Sequence, residues 1–225
     1  MAKKSKISWT YYFIELAVVF IGVTAGFILN NWREDTAENK MERKYMESFY
    51  GEVLHDKDNL DSLILHSQLK IDNLLNIIKQ TEIINKPLTE ELAQKIVMEI
   101  MYIEWLSPAN DTYEDIINSG NLNIISDYNL KEKISSYYTF LNEVGNVEKF
   151  YTEHMNNYGF PILYKNYHLL HHEFVNAESY KSLEFTNMYL GVVALLQQNN
   201  EKYKEALEKN KELQDELKNA LNLSD

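Results

Sequence analysis

Glu15 is the one ionisable side chain inside the apolar run Trp9-TYYFIELAVVFIGVTAGFILNN-Trp32. A carboxyl about four residues inside an apolar boundary costs on the order of 2–3 kcal/mol if charged and facing lipid. Gly22 and Gly26 form a G-x-x-x-G pair, the spacing that lets two helix backbones approach closely. At about 100° per helical residue, both glycines fall within roughly 20° of Glu15. Val19, Ala25 and Leu29 flank that stripe. A small-residue face offers the carboxyl protonation, a partner helix, or both. The six residues Glu15, Val19, Gly22, Ala25, Gly26 and Leu29 are therefore expected to pack against another span, from a second copy or a different protein. The plainer alternative has Glu15 reaching up to the interface beside incidental glycines. A sharper one makes Glu15 the proton carrier of an ion-coupled membrane complex, although no peptidoglycan-binding pattern follows.

His168, His171, His172 and Glu173 stand at i, i+3, i+4 and i+5, so on a helix the three imidazoles would share a face and could hold a transition metal. No second ligand set stands at a defined spacing, and an aromatic, polar patch beside Tyr164 and Tyr167 is the expectation. His55-Asp56 and Glu153-His154 say less. Ser119-Gly120 lacks the G-x-S-x-G surroundings of a nucleophile elbow. No phosphate loop, dinucleotide fingerprint or H-E-x-x-H is present, and the chain has no cysteine. The sixteen tyrosines suit a helical core in which each ring keeps a polar end satisfied. No catalytic residue and no cofactor is assigned, and the chain reads as non-enzymatic, with a ligand or metal sensor as the alternative.

The element that positions Glu15 must be a helix, because backbone groups in lipid have to bond internally. The 23 steps from Trp9 to Trp32 span roughly 34 Å at about 1.5 Å each, matching a hydrocarbon core of about 30 Å. Trp9, Tyr11 and Tyr12 form one interfacial girdle and Trp32 the other. A cleaved signal peptide competes, with Lys3, Lys4 and Lys6 as its basic region and Val23-Thr24-Ala25 as its cut. Against it, Glu15 interrupts the apolar region, and the run continues through Phe27, Ile28 and Leu29. The compact basic tail before a long acidic domain favours a cytoplasmic N-terminus and a periplasmic domain, although Lys40, Arg43 and Lys44 weaken the asymmetry.

The net charge of −12 repels phosphate backbones, so no nucleic-acid partner is expected. Seven glycines and three prolines in 225 residues, with apolar spacing of i, i+3, i+4, describe an all-α chain. The organisation read from it is a basic tail over 1–8, a membrane helix over 9–32, a long helix leaving the membrane over 33–84, and an extramembrane helical bundle over 88–225. Within the bundle, Thr89 opens a helix expected to reach Leu106, and Asp111 opens a short one closed by Ser119-Gly120. A third covers about Asn129 to Tyr158, broken by Gly159-Phe160-Pro161. The last spans Leu183 to Leu221, with Tyr203, Leu207, Leu217 and Leu221 on one stripe and Asn210 as its polar position. That stripe could pack back on the long first helix or form a coiled coil with another molecule.

Two stretches, Glu15-LAVVFIGVTAGFILNNWRE-Asp35 and Asn110-DTYEDIINSGNLNIISDYNLKEKISSYY-Tyr138, resemble a family of uncharacterised single-span bacterial membrane proteins common in Bacteroidetes. The shared elements are the Gly-rich span ending in Asn30-Asn31-Trp32, and Thr112-Tyr113-Glu114 followed by Ser119-Gly120-Asn121-Leu122. The resemblance implies a single-pass, helical protein of the inner membrane and no particular activity. The partners expected on this reading are the lipid bilayer and either a second copy or another membrane protein.

Overall fold

A computed structural model describes residues 9–83 and 87–223. The basic tail with Lys3, Lys4 and Lys6, the Asn85-Lys86 stop and the Tyr11 side chain lie outside the described residues. The chain divides into two compact units, Met1–Tyr45 and Met46–Asp225. Helix α1 (Trp9–Ile78) supplies the first and enters the second. No proline interrupts it, and the helix continues through Gly51. A wide π-turn over Lys79–Ile83 ends it.

In the second unit follow α2 (Glu90–Met101), α3 (Asp111–Asn118), a 3-10 turn over Asn121–Ile124 and α4 (Tyr128–His154). A second π-turn, Met155–Gly159, leads into α5 (Phe160–Asn166), then a hairpin of β1 (Tyr167–His168) and β2 (Glu173–Phe174). Helices α6 (Ala177–Tyr180) and α7 (Leu183–Leu221) complete the chain. Among the described residues the chain is all-α apart from that hairpin of two-residue strands.

Three long segments share one core rule. Buried positions recur every three or four residues in α1 (Phe49, Val53, Asp56, Leu60, Leu63), in α4 (Ile134, Tyr137, Leu141, Val144, Glu148, Tyr151) and in α7 (Leu196, Asn199, Tyr203, Ala206, Asn210, Leu213, Leu217). That spacing keeps one seam per helix facing the others. Asn210 bonds Tyr137 at 2.9 Å, and His154 of α4 bonds the Met188 carbonyl of α7 at 3.1 Å, so α4 and α7 run antiparallel. Asn210 to Val53 and Asn200 to Gln68, both at 2.9 Å, set α1 antiparallel to α7 as well. The α7 stripe therefore packs within the molecule. Leu207 is only half-buried, and Ala206 takes the core position.

Local signals start the helices. Thr89 accepts from Leu92 N at 3.3 Å, Asp127 from Asn129 N at 2.8 Å, and Ser182 from Phe185 N at 3.1 Å, each filling an N-terminal donor the helix cannot. Gly120 closes α3 in the left-handed region at φ 72, where glycine pays no steric penalty.

Two expected boundaries moved. Helix α2 stops at Met101, with Tyr102 already extended, because residues 102–110 bond to side chains elsewhere. Gly159-Phe160-Pro161 does not break the chain path. The Phe160 N–H reaches the Met155 carbonyl, and this wider turn admits a proline that has no N–H to give.

Ile96 is fully buried and Met98, two residues on, is 58% exposed. Ile96→Ala should lower the unfolding free energy by about 2–5 kcal/mol. Met98→Ala should change it by less than about 0.5 kcal/mol. Urea unfolding of the detergent-solubilised chain, followed by circular dichroism, measures both.

Candidate functional site

In the first unit, Glu15, Val19, Gly22, Ala25, Gly26 and Leu29 are all exposed along α1. A Cβ added at Gly22 or Gly26 would meet nothing within 4 Å, so backbone lies bare on that stripe. Trp9, Tyr12 and Trp32 are exposed too. At the Trp32 end a polar collar closes on itself: Asn30 donates to Glu34 at 2.8 Å, Arg33 donates to Asn30 at 3.3 Å, and Thr36 donates to the Trp32 carbonyl at 2.7 Å. One helix among the described residues is long and apolar enough to cross a membrane, and none of its apolar window is buried.

In the second unit the densest polar chemistry surrounds residues 102–110, which have neither helix nor strand. Such a strap must find partners for its backbone groups elsewhere. Lys70 donates to the Tyr102 carbonyl. Glu148 Oε1 accepts from Leu106 N at 2.7 Å and from the Tyr203 hydroxyl at 2.7 Å. Asp56, with no exposed surface, accepts from Ala109 N at 2.8 Å and from the Tyr137 hydroxyl at 2.9 Å. Glu52 takes the start of α3, accepting from Thr112 N at 2.8 Å and Thr112 Oγ1 at 2.5 Å, and from the Tyr138 hydroxyl at 2.8 Å. Tyr113 stacks on Tyr138 at 4.4 Å, 8° from parallel.

The electrostatics follow from burial. Desolvation raises the pKa of Asp56 and Glu148, and the bonds from Ala109, Tyr137, Leu106 and Tyr203 oppose that rise. Burial, then the adjacent carboxylate, holds Tyr137, Tyr138 and Tyr203 far above the ordinary tyrosine range, so each stays a hydroxyl donor. Lys70 is pulled down by burial, with Glu99 and Glu104 working the other way. A cavity of about 20 Å³ beside Lys70, Trp105, Tyr151 and Asn199 holds one water at most. The carboxylates of Asp56 and Glu148 are thus committed to the strap and to tyrosine hydroxyls.

A larger opening lies where the second π-turn faces α7. It measures about 580 Å³ and is lined by His154, Asn157, Tyr158, Pro161, Ile162, Lys165, Glu184, Asn187 and Met188. The His154 ring sits against α7, its Nε2 at 3.1 Å from the Met188 carbonyl and its centroid 5.4 Å from that of Tyr158.

The histidine patch is not helical. His168 is in β1, and His171 and His172 are in the hairpin turn, so no helical face aligns them. His172 has φ 54, and the His171 N–H donates to His168 Nδ1 at 3.3 Å, which occupies that nitrogen. Among the described residues, no group of three or more His, Asp or Glu is arranged to hold a metal.

Sequence reading missed Glu52, Asp56, Glu148 and the His154 groove. For Asp56 and Glu148 a signal existed: each stands at a core position of a three-and-four repeat that is otherwise apolar. Nothing local marks the groove, because its walls lie far apart in the chain. No protein-family model, curated protein or solved structure matches this chain.

Both bonds to Glu148 fall on Oε1, so Glu148→Gln can keep them while removing a buried charge. A raised folded pKa means that protonation favours the fold. The wild-type protein should lose stability as pH rises from about 4.5, the ordinary glutamate value, through the raised one. Glu148→Gln should flatten that slope and match or exceed wild type at pH 7. Tyr137→Phe, which strips Asp56 of a donor, should instead cost about 1–3 kcal/mol. Thermal unfolding between pH 4 and 8 checks both.

Proposed function

We propose that this chain is a single-pass membrane protein that assembles through the Glu15, Val19, Gly22, Ala25, Gly26 and Leu29 face of its N-terminal helix. On this reading it is a non-enzymatic scaffold or interaction subunit of the bacterial inner membrane. Its N-terminus is cytoplasmic and its helical bundle periplasmic. The observation that carries it is the bare backbone at Gly22 and Gly26, in line with the only ionisable group of the apolar run.

Lipid tails are as apolar as leucine, so spans associate through close packing and hydrogen bonds rather than through the hydrophobic effect. A glycine stripe supplies the first and a carboxyl the second. A partner span also removes Glu15 from lipid, offsetting the penalty of a lone charge there. The girdle residues Trp9, Tyr12 and Trp32 and the collar at Asn30, Arg33 and Glu34 support a span of this length. The resemblance to single-span bacterial proteins agrees with it. Glu15 also keeps a second reading in view, an accessory to an ion-coupled complex in which the carboxyl carries the proton.

The chain has no cysteine of its own, so introduced thiols report without background. In native membranes Gly22→Cys and Gly26→Cys should form cross-linked species under mild oxidation. Phe20→Cys and Thr24→Cys, on the opposite face, should not. Monomers at all four positions would sink the assembly reading. Glu15→Gln should preserve cross-linking at Gly22→Cys; loss of an associated ion flux with assembly intact would favour the second reading instead.

A further inference from the structure

The opening beside the second π-turn is built rather than incidental. Gly191 sits inside α7, where glycine is less favourable than alanine. A Cβ there would lie 2.6 Å from His154 Cε1 and 2.8 Å from His154 Nε2, too close for a rigid ring to absorb. The glycine thus lets the imidazole approach the helix closely, where an Nε2–H donates to the Met188 carbonyl at 3.1 Å. In the neutral ring that bond selects the Nε2–H tautomer, in which Nδ1 is an acceptor. On the other wall the π-turn inserts an extra residue into the helical path, a distortion found often at functional sites.

The charges of the opening are of both signs. Lys165 and Glu184 line the same space and are exposed. Among the described residues, neither has an ion-pair partner. Asn157 and Asn187 add amide groups, and Pro161, Ile162 and Met188 give an apolar floor. About 580 Å³ lies within the range of small-molecule sites. A polyanion would be repelled by Glu184 and an organic cation by Lys165. A molecule carrying one ammonium and one carboxylate satisfies both.

The geometry points to a binding site for a small zwitterion with apolar side chains, of the size of a free dipeptide. Lys165 and the asparagine amides take its carboxylate, Glu184 and His154 Nδ1 take its ammonium, and the apolar floor takes its side chains. This site is independent of assembly through the membrane helix.

Isothermal titration calorimetry of the full chain in detergent tests it with three probes: L-leucyl-L-leucine, its N-acetyl derivative and its C-terminal amide. The free dipeptide should bind saturably and more tightly than either blocked form. Lys165→Gln should weaken the dipeptide and the acetylated form about tenfold and leave the amide unchanged. Glu184→Gln should weaken the dipeptide and the amide and leave the acetylated form unchanged. Gly191→Ala, which displaces the His154 ring while favouring helix, should weaken the dipeptide and the amide with the circular dichroism spectrum preserved. Absence of saturable binding by the free dipeptide overturns the site, as does binding indifferent to all three variants. An acetylated probe that binds as tightly as the free dipeptide reduces the opening to a monoanion site and overturns the zwitterion assignment.

Discussion

A stretch of backbone with no secondary structure of its own holds the helical bundle in place. Residues 102–110 cross the helices as a strap, and a strap packed on a core exposes peptide groups that only side chains can satisfy. Lys70, Glu148 and Asp56 supply those partners along the strap, and Glu52 secures its exit into α3. Two of these side chains occupy seam positions where an apolar residue would pack better. The bundle thus trades part of its hydrophobic seam for a defined path of the connecting chain, a use of buried polar groups that favours one arrangement over its neighbours.

The tyrosines belong to the same constraint. Tyr137, Tyr138 and Tyr203 each place a ring in the core and a hydroxyl on one of the carboxylates. A buried carboxylate without donors is costly, and a phenol whose own ionisation is suppressed supplies a donor at every physiological pH. Three of the sixteen tyrosines thus serve acids carried inside the bundle. The same arrangement gives Thr112-Tyr113 a physical meaning: the threonine is held by Glu52 and the ring is stacked on Tyr138.

Much of the architecture was legible where the causes are local. Thr89 marks a helix start, Gly120 marks a stop, and α7 spans Leu183–Leu221, the same bounds that its periodicity implies. Failures came where distant groups decide. The apolar residues after Met101 continue a helical pattern, yet Lys70 and Glu148 claim their backbone. The histidines at 168, 171 and 172 have helical spacing, but the hairpin and the positive φ of His172 turn the chain back instead. The groove could not be read at all, since Gly191 explains itself only once His154 is seen against it.

The strap has a mechanical consequence. A helix that slides along its axis by one residue moves about 1.5 Å, which stretches a sideways hydrogen bond of about 2.9 Å to roughly 3.3 Å and weakens it. Lys70, Asp56 and Glu52 all reach from α1 to one continuous length of chain, 102–112. A pull along α1 therefore loads three tethers at once, so the strap resists sliding of α1 within the bundle.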